Sequence, residues 1–138
     1  MSTPTPPAEP RLEELSHDEC VKRLRSTQLG RIGFLYEGNV EVRPVNYRFH
    51  EGTVVLRTAY ETVLDHIDGQ DVVFEIDEAD EHVGTGWSVL VYGPVEQTWR
   101  SEELRSIQAL GLFSWTPGTL DRILRIFPTR ITGRQIVL

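Results

Sequence analysis

The stretch Gly84-Thr-Gly-Trp-Ser-Val-Leu-Val-Tyr-Gly-Pro-Val-Glu-Gln-Thr-Trp99 reads as one long β-strand with Gly93-Pro94 marking a bulge or bend partway along. Long bent strands are how small barrels turn their corners. The preceding run, Asp71 to Asp77, places Val72, Val73, Phe74 and Ile76 in another strand, and a polar, acidic loop separates the two. Further upstream the period is again two. Ile32, Phe34 and Tyr36 alternate with Arg31, Gly33 and Leu35, Gly38-Asn39 offers a tight turn, and Val40 to Phe49 returns, so this segment is a β-hairpin. Pro44 cannot donate to a ladder, which puts that point of the strand at an edge or in a bulge and leaves neighbouring backbone groups available to a ligand. Glu51-Gly52 turns the chain into a strand at Val54 to Leu56, and Leu120 to Leu138 supplies a final strand or strand pair.

Helical signals lie around these strands. Ser16 followed by Glu19 matches a capping box, Cys20, Val21 and Leu24 recur at helical spacing, and Gly30 offers a stop, giving a helix over about 18–28. A short helix is expected over Glu61 to Ile67, and another after Ser101 with Leu104, Ile107 and Leu110 inward. Residues 1–11, rich in Pro and Thr, read as a disordered arm, and 12–138 as one domain. Strands joined mostly by hairpin-length turns predict a mainly β protein: a partly closed antiparallel β-barrel with peripheral helices, rather than a doubly wound sheet.

Composition narrows the function classes. A chain of 138 residues with a formal charge of −7 and a pI near 5.1 argues against a nucleic-acid partner, so an anionic ligand needs a local basic pocket. The single Cys20 excludes a disulfide framework and a cysteine-cluster metal site. No apolar run approaches the ~20 residues of a membrane span, and the N-terminus lacks the regions of a signal peptide, so a soluble, cytoplasmic protein is expected. The four histidines lack paired metal-ligand spacing, and no glycine-rich phosphate loop is present. Glu75 and Asp77, being on a strand, could line a site.

What remains is a set of planar and amide-bearing positions. Arg57 and Thr58 fall where a strand meets a short helix, and a guanidinium, a hydroxyl and free helix-start N–H groups make a seat for phosphate or carboxylate. Taken alone, a strand-ending Arg and a helix-capping Thr are the simpler account of the pair. Asn46, Tyr47, Trp87, Ser88 and Trp115 could flank a flat heteroaromatic, although packing is as good an account of the two tryptophans.

The order Glu19-Cys20, Gly30-Arg31-Ile32-Gly33-Phe34, Pro44-Val45-Asn46-Tyr47, Leu56-Arg57-Thr58, Phe74-Glu75-Ile76-Asp77, Gly86-Trp87-Ser88-Val89, Trp115-Thr116-Pro117-Gly118 and Ile131-Thr132-Gly133-Arg134 resembles the pyridoxamine 5'-phosphate oxidase-like family. More narrowly, it resembles the FMN-binding split β-barrel branch that includes the nitroimidazole-resistance proteins. The resemblance implies a six-stranded antiparallel split β-barrel of the FMN-binding type and a homodimer with FMN at the subunit interface. It implies that Arg57 and Thr58 hold the phosphate, that Thr62 is a further cofactor-binding residue and that the backbone from Val45 to Tyr47 borders the flavin ring. Trp87 and Ser88 are implied to contact the ring or ribityl chain, with Trp115 and Arg134 reaching in from the partner subunit. The activity implied is flavin-dependent oxidoreduction of a small planar acceptor. A deazaflavin or haem in place of FMN, and a non-catalytic split-barrel dimer that binds small molecules, are the alternatives. One departure stands out. Where the family usually continues with Gly-Thr-Lys-Leu, this chain has Glu61-Thr62-Val63-Leu64. Losing one charge-assisted hydrogen bond of about 1.5–3 kcal/mol weakens flavin binding by about tenfold to a hundredfold.

Overall fold

The computed structural model of the chain describes residues 9–58, 63–98, 105–106, 109–111 and 122–138. Among the described residues eight strands are present: β1 (Arg11–Glu14), β2 (Leu29–Tyr36), β3 (Asn39–His50), β4 (Thr53–Thr58), β5 (Asp71–Asp80), β6 (Thr85–Gln97), β7 (Arg122–Ile126) and β8 (Arg130–Val137), together with the helix α1 (His17–Ser26) and a short 3-10 turn at Val63–His66. Every pairing is antiparallel. Strands β2, β3, β4, β7, β6 and β5 close a six-membered ring, and β8 and then β1 extend the sheet from the free edge of β6. The expected split barrel is therefore the observed one. Among the described residues no helix is long and apolar enough to cross a membrane.

Closure depends on strands that change partner. β6 stays paired with β5 from Thr85 to Pro94, but its other edge pairs with β8 only as far as Tyr92 and takes up β7 from Val95. The link between β7 and β8 fills the changeover, with Phe127 N donating to Pro94 O at 3.0 Å and Thr129 N donating to Tyr92 O at 2.7 Å. A Cβ on Gly93 would lie 1.9 Å from the Phe127 carbonyl oxygen, so the bend expected at Gly93-Pro94 is where another backbone crosses.

β3 makes the matching exchange, from β2 along Asn39–Asn46 to β4 along Tyr47–His50. The two hairpin turns are Glu37-Gly38 and Glu51-Gly52, with positive φ at all four residues as primed turns require, so the first turn lies one residue earlier than Gly38-Asn39.

Other boundaries differ from expectation for physical reasons. Ser16 caps α1 and its Oγ accepts from Glu19 N at 3.2 Å, but the helix ends at Ser26, because Thr27 is already extended. Gly30 is not the helix stop: it lies in β2, where a Cβ would come within 2.3 Å of the Phe74 ring. The residues Glu78 to Asp80 are strand rather than loop, and the turn that follows is organised by Asp80 Oδ1, which accepts from His82 N at 3.1 Å and Val83 N at 3.2 Å. Arg11–Glu14 form β1, a strand that the composition of this segment did not disclose, so Arg11 belongs to the sheet rather than to the arm read over 1–11. Most of the helix expected after Ser101 lies outside the described residues, although Leu110 packs on Val55 and Ile123 against the barrel wall.

The barrel core holds Ile32, Phe34, Tyr47, Val54, Leu56, Phe74, Ile76, Val89, Val91, Leu124 and Ile126, capped on one side by Cys20 and Leu24 of α1. Gly93→Ala should destabilise the protein by about 2–4 kcal/mol in chemical denaturation, since the obstructing atom is backbone rather than a movable side chain.

Candidate functional site

The partner exchange of β3 creates a local opportunity for a ligand. Tyr47 N donates to Gln28 O at 2.9 Å, so odd-numbered residues of β3 turn their backbone groups toward β2 and even-numbered ones turn away. From Val40 to Asn46 no strand pairs on that outward side among the described residues. Pro44 falls on the outward set, where its missing N–H removes no ladder bond, so the edge alternative holds and the continuous register excludes a bulge. The open edge ends at Asn46. Arg57, one residue beyond Leu56, the partner of Tyr47, lies beside that end.

The surroundings are basic although the chain is acidic. β4 and β7 together carry Arg57, Arg122 and Arg125 and no carboxylate. Arg122 Nη1 donates to Gln97 Oε1 at 2.6 Å, Arg125 Nε donates to Thr53 Oγ1 at 3.1 Å, and Arg48 Nη1 donates to the Tyr47 carbonyl at 2.8 Å. Glu51, 3.8 Å from Arg125, is on the turn at the far end of β4. Thr58 pairs in register with Arg122, which brings a second guanidinium to the end of β4.

Of the residues expected to form the site, Val45, Asn46, Tyr47, Arg57 and Thr58 come together here, with Val45 and Tyr47 turned the other way. Both are buried in the core. Tyr47 Oη donates to the Leu24 carbonyl at 2.7 Å, satisfying an acceptor at the end of α1, contacts Thr27 Oγ1, and its ring meets Phe74 edge to face at 4.7 Å. Burial pushes the phenol up to about 12. Its side chain is structural and its backbone N–H is taken by Gln28, so the outward backbone groups at this end of β3 belong to Pro44 and Asn46.

Trp87, Ser88 and Arg134 form a second group. They line a cleft of about 420 Å³ with Asp77, Leu12 and Ile136. Ser88 and Arg134 are register partners on the outer sheet face, whereas Trp87 alternates to the other side, where it packs against the core and Arg23 stacks on it at 4.6 Å. Within one chain β5 and β2 separate this group from Asn46 and Arg57. Thr62 and Trp115 lie outside the described residues, as does Glu61, and Val63 opens the 3-10 turn.

Between the groups sits a cluster that sequence spacing hid. Arg31 Nη1 donates to Glu75 Oε1 at 3.3 Å and to Asp77 Oδ2 at 3.1 Å. Burial, followed by the hydrogen bond and charge of Asp77, pushes Glu75 up to about 7 against the pull of Arg31. The alternation of Glu75 and Asp77 on one strand was the available signal, whereas their common partner is 44 residues away from Glu75.

A family model for pyridoxamine 5'-phosphate oxidase matches residues 16–135. The chain belongs to that family. It is 33% identical over 130 residues to the protein Rv0080 of Mycobacterium tuberculosis, covering 90% of this chain and 85% of that one. Among solved structures it resembles a candidate pyridoxamine 5'-phosphate oxidase from Corynebacterium glutamicum, with 31% identity, a TM-score of 0.78 and coverage of 92% and 94% of the two chains. It also resembles an FAD binding protein from Mycobacterium smegmatis, with 33% identity, a TM-score of 0.76 and coverage of 88% and 96%.

Tyr47→Phe should cost about 1–3 kcal/mol in denaturation, since it leaves the buried Leu24 carbonyl without its donor. In the parent protein the stabilisation linked to this phenol is complete below its ordinary pKa of 10 and is lost as pH rises toward about 12, which denaturation across that range should register.

Proposed function

We propose that this family member binds a flavin nucleotide, FMN in the first reading, between two copies of the chain and uses it to reduce or oxidise a small planar substrate. The observation that carries the proposal is the open backbone edge of β3, which ends beside Arg57 on a pair of strands with three arginines and no carboxylate. A flat heteroaromatic with hydrogen-bonding groups along one edge and a phosphate at the other end fits that arrangement, with Asn46 and the outward backbone of β3 on the ring and Arg57 with Thr58 at the phosphate. When bound, a flavin supplies hydride and single-electron chemistry at its ring. The part of the chain's own residues is to seat the ring, neutralise the phosphate and exclude water. Ser88 and Arg134 act from the partner subunit, because β5 and β2 separate them from Arg57 within one chain.

FAD is a second reading, favoured by the Mycobacterium smegmatis relative, itself an FAD binding protein. A dimer that binds flavin weakly or not at all and serves as a small-molecule binding module is a third, favoured by Val63 where the family's Lys is expected.

The test is a visible spectrum and fluorescence titration of the purified protein with FMN, FAD, a deazaflavin and riboflavin. Quenching at low micromolar FMN or FAD supports the proposal, and indifference to all four ligands overturns it. Arg57→Ala should weaken FMN about tenfold to a hundredfold while changing riboflavin little, and Val63→Lys should strengthen FMN by a similar factor. Equal losses for FMN and riboflavin in Arg57→Ala would place the phosphate elsewhere.

A further inference from the structure

Gly33 stands in the middle of β2, where a glycine weakens the strand. None of the causes at work elsewhere in the barrel applies to it. Register runs unbroken through it, with Gly33 opposite Val42 on β3 and Val73 on β5, so it marks no bulge. Its φ lies outside the left-handed region. A Cβ placed on it would first meet the Val73 Cγ1 methyl at 3.0 Å, with backbone no nearer than 3.7 Å. That methyl is the end of a side chain, unlike the carbonyl that crosses at Gly93. The fold therefore does not demand this glycine, and what the missing side chain does is open the floor of a trough on the outer face of the sheet.

The trough has a volume of about 590 Å³. Across the strands Tyr92 pairs with Val73, Val73 with Gly33 and Gly33 with Val42, so the floor dips between Val42 on one side and Val73 with Tyr92 on the other. Leu35 and Val40, also register partners, form the next row and are 55% and 78% exposed. Gln70 fixes that wall where β5 no longer pairs with β2: its Oε1 accepts from Leu35 N at 2.7 Å and its Nε2 donates to Leu35 O at 2.9 Å. A recess of this volume, apolar with a few polar groups, has the character of a small-molecule site.

Charge narrows the class of molecule. Among the described residues Asp71 is the only charged one lining the trough. Arg130 stacks on the Tyr92 ring at 4.1 Å but borders a different cleft, of about 280 Å³. An anion would thus meet a carboxylate with no cation to offset it. Pro44, where the outward backbone of β3 leads on to Asn46, follows Val42 on the same face about 7 Å along the strand. Resting on the flavin reading, we propose that this trough seats the substrate, a flat apolar molecule that is neutral or turns a cationic group toward Asp71 and bears no phosphate or carboxylate. The bare floor at Gly33 sets the depth available to it. Pyridoxamine phosphate would find no cation there for its phosphate.

Fluorescence titration of the purified full-length chain with 2-naphthylmethylamine, 2-naphthalenemethanol and 2-naphthoate, with and without FMN, tests this. The amine and the alcohol should bind, and the naphthoate should bind about tenfold more weakly than the amine. Asp71→Asn should close most of that gap. Gly33→Leu and Leu35→Trp should each weaken the amine and the alcohol about tenfold or more by filling the trough, while leaving the FMN titration unchanged. Circular dichroism reports folding, and Leu35→Trp, on an exposed wall, keeps the test in force if Gly33→Leu does not fold. Naphthoate binding as tightly as the amine, or trough variants that bind the probes as the parent does, overturns the inference. Failure of all three probes to bind, the result that a trough closed by a second copy would give, overturns it too. If the trough variants lose FMN along with the probes, the trough is part of the flavin seat and the inference fails. Amine binding blocked by Leu35→Trp in a protein that ignores FMN and FAD supports the seat and overturns the flavin reading alone.

Discussion

Backbone buried in a barrel wall must be paired. Each strand of the ring must have a neighbour on both sides or expose its amides, and only six strands are available to close the circle while β1 and β8 extend it outward. The solution is for long strands to serve two neighbours in succession. β6 does so at Gly93, where the crossing Phe127 carbonyl requires a residue without a side chain, and β3 does so between Asn46 and Tyr47. The second exchange leaves a length of edge uncovered beside Arg57. The feature that closes the barrel is therefore also the one that opens a place for a ligand.

Charge is distributed with the same economy. The β5–β6 hairpin carries seven carboxylates and no Lys or Arg, while β4 and β7 carry arginines alone. Cations gathered on two paired strands of an acidic molecule favour anions locally, so local arrangement matters more than the sign of the whole chain.

Much of the fold could be read from the residues. Alternation in Arg31–Tyr36 and Asp71–Asp77 and the turn residues around Gly38 and Gly52 are local signals, and the strands follow from them. The exchange points are different, because they depend on contacts between segments far apart in sequence. Gly30 looked like a helix stop because the Phe74 ring that demands a glycine there is remote, and Glu78 to Asp80 looked like a loop because their pairing with Thr85 to Trp87 outweighs their poor strand propensity. The site divides along the same line. Asn46 and Arg57 were legible as chemistry-bearing types beside an edge-marking proline. That Trp87 and Ser88 face opposite sides follows from strand alternation alone, and resemblance had joined them. Arg31 with Glu75 and Asp77 needed the sheet register.

The packing of α1 on β8 leaves one more consequence. Cys20, the sole thiol, is 1% exposed, and its sulfur is so close to Gly133 that a Cβ there would come within 2.5 Å. Burial and the neighbouring Glu19 also push its ionisation upward, which keeps it in the unreactive thiol form. An alkylating reagent can reach the sulfur only when the helix lifts from the strand. The rate of labelling at this position thus counts those openings, and the molecule carries its own clock for the loosening of one helix.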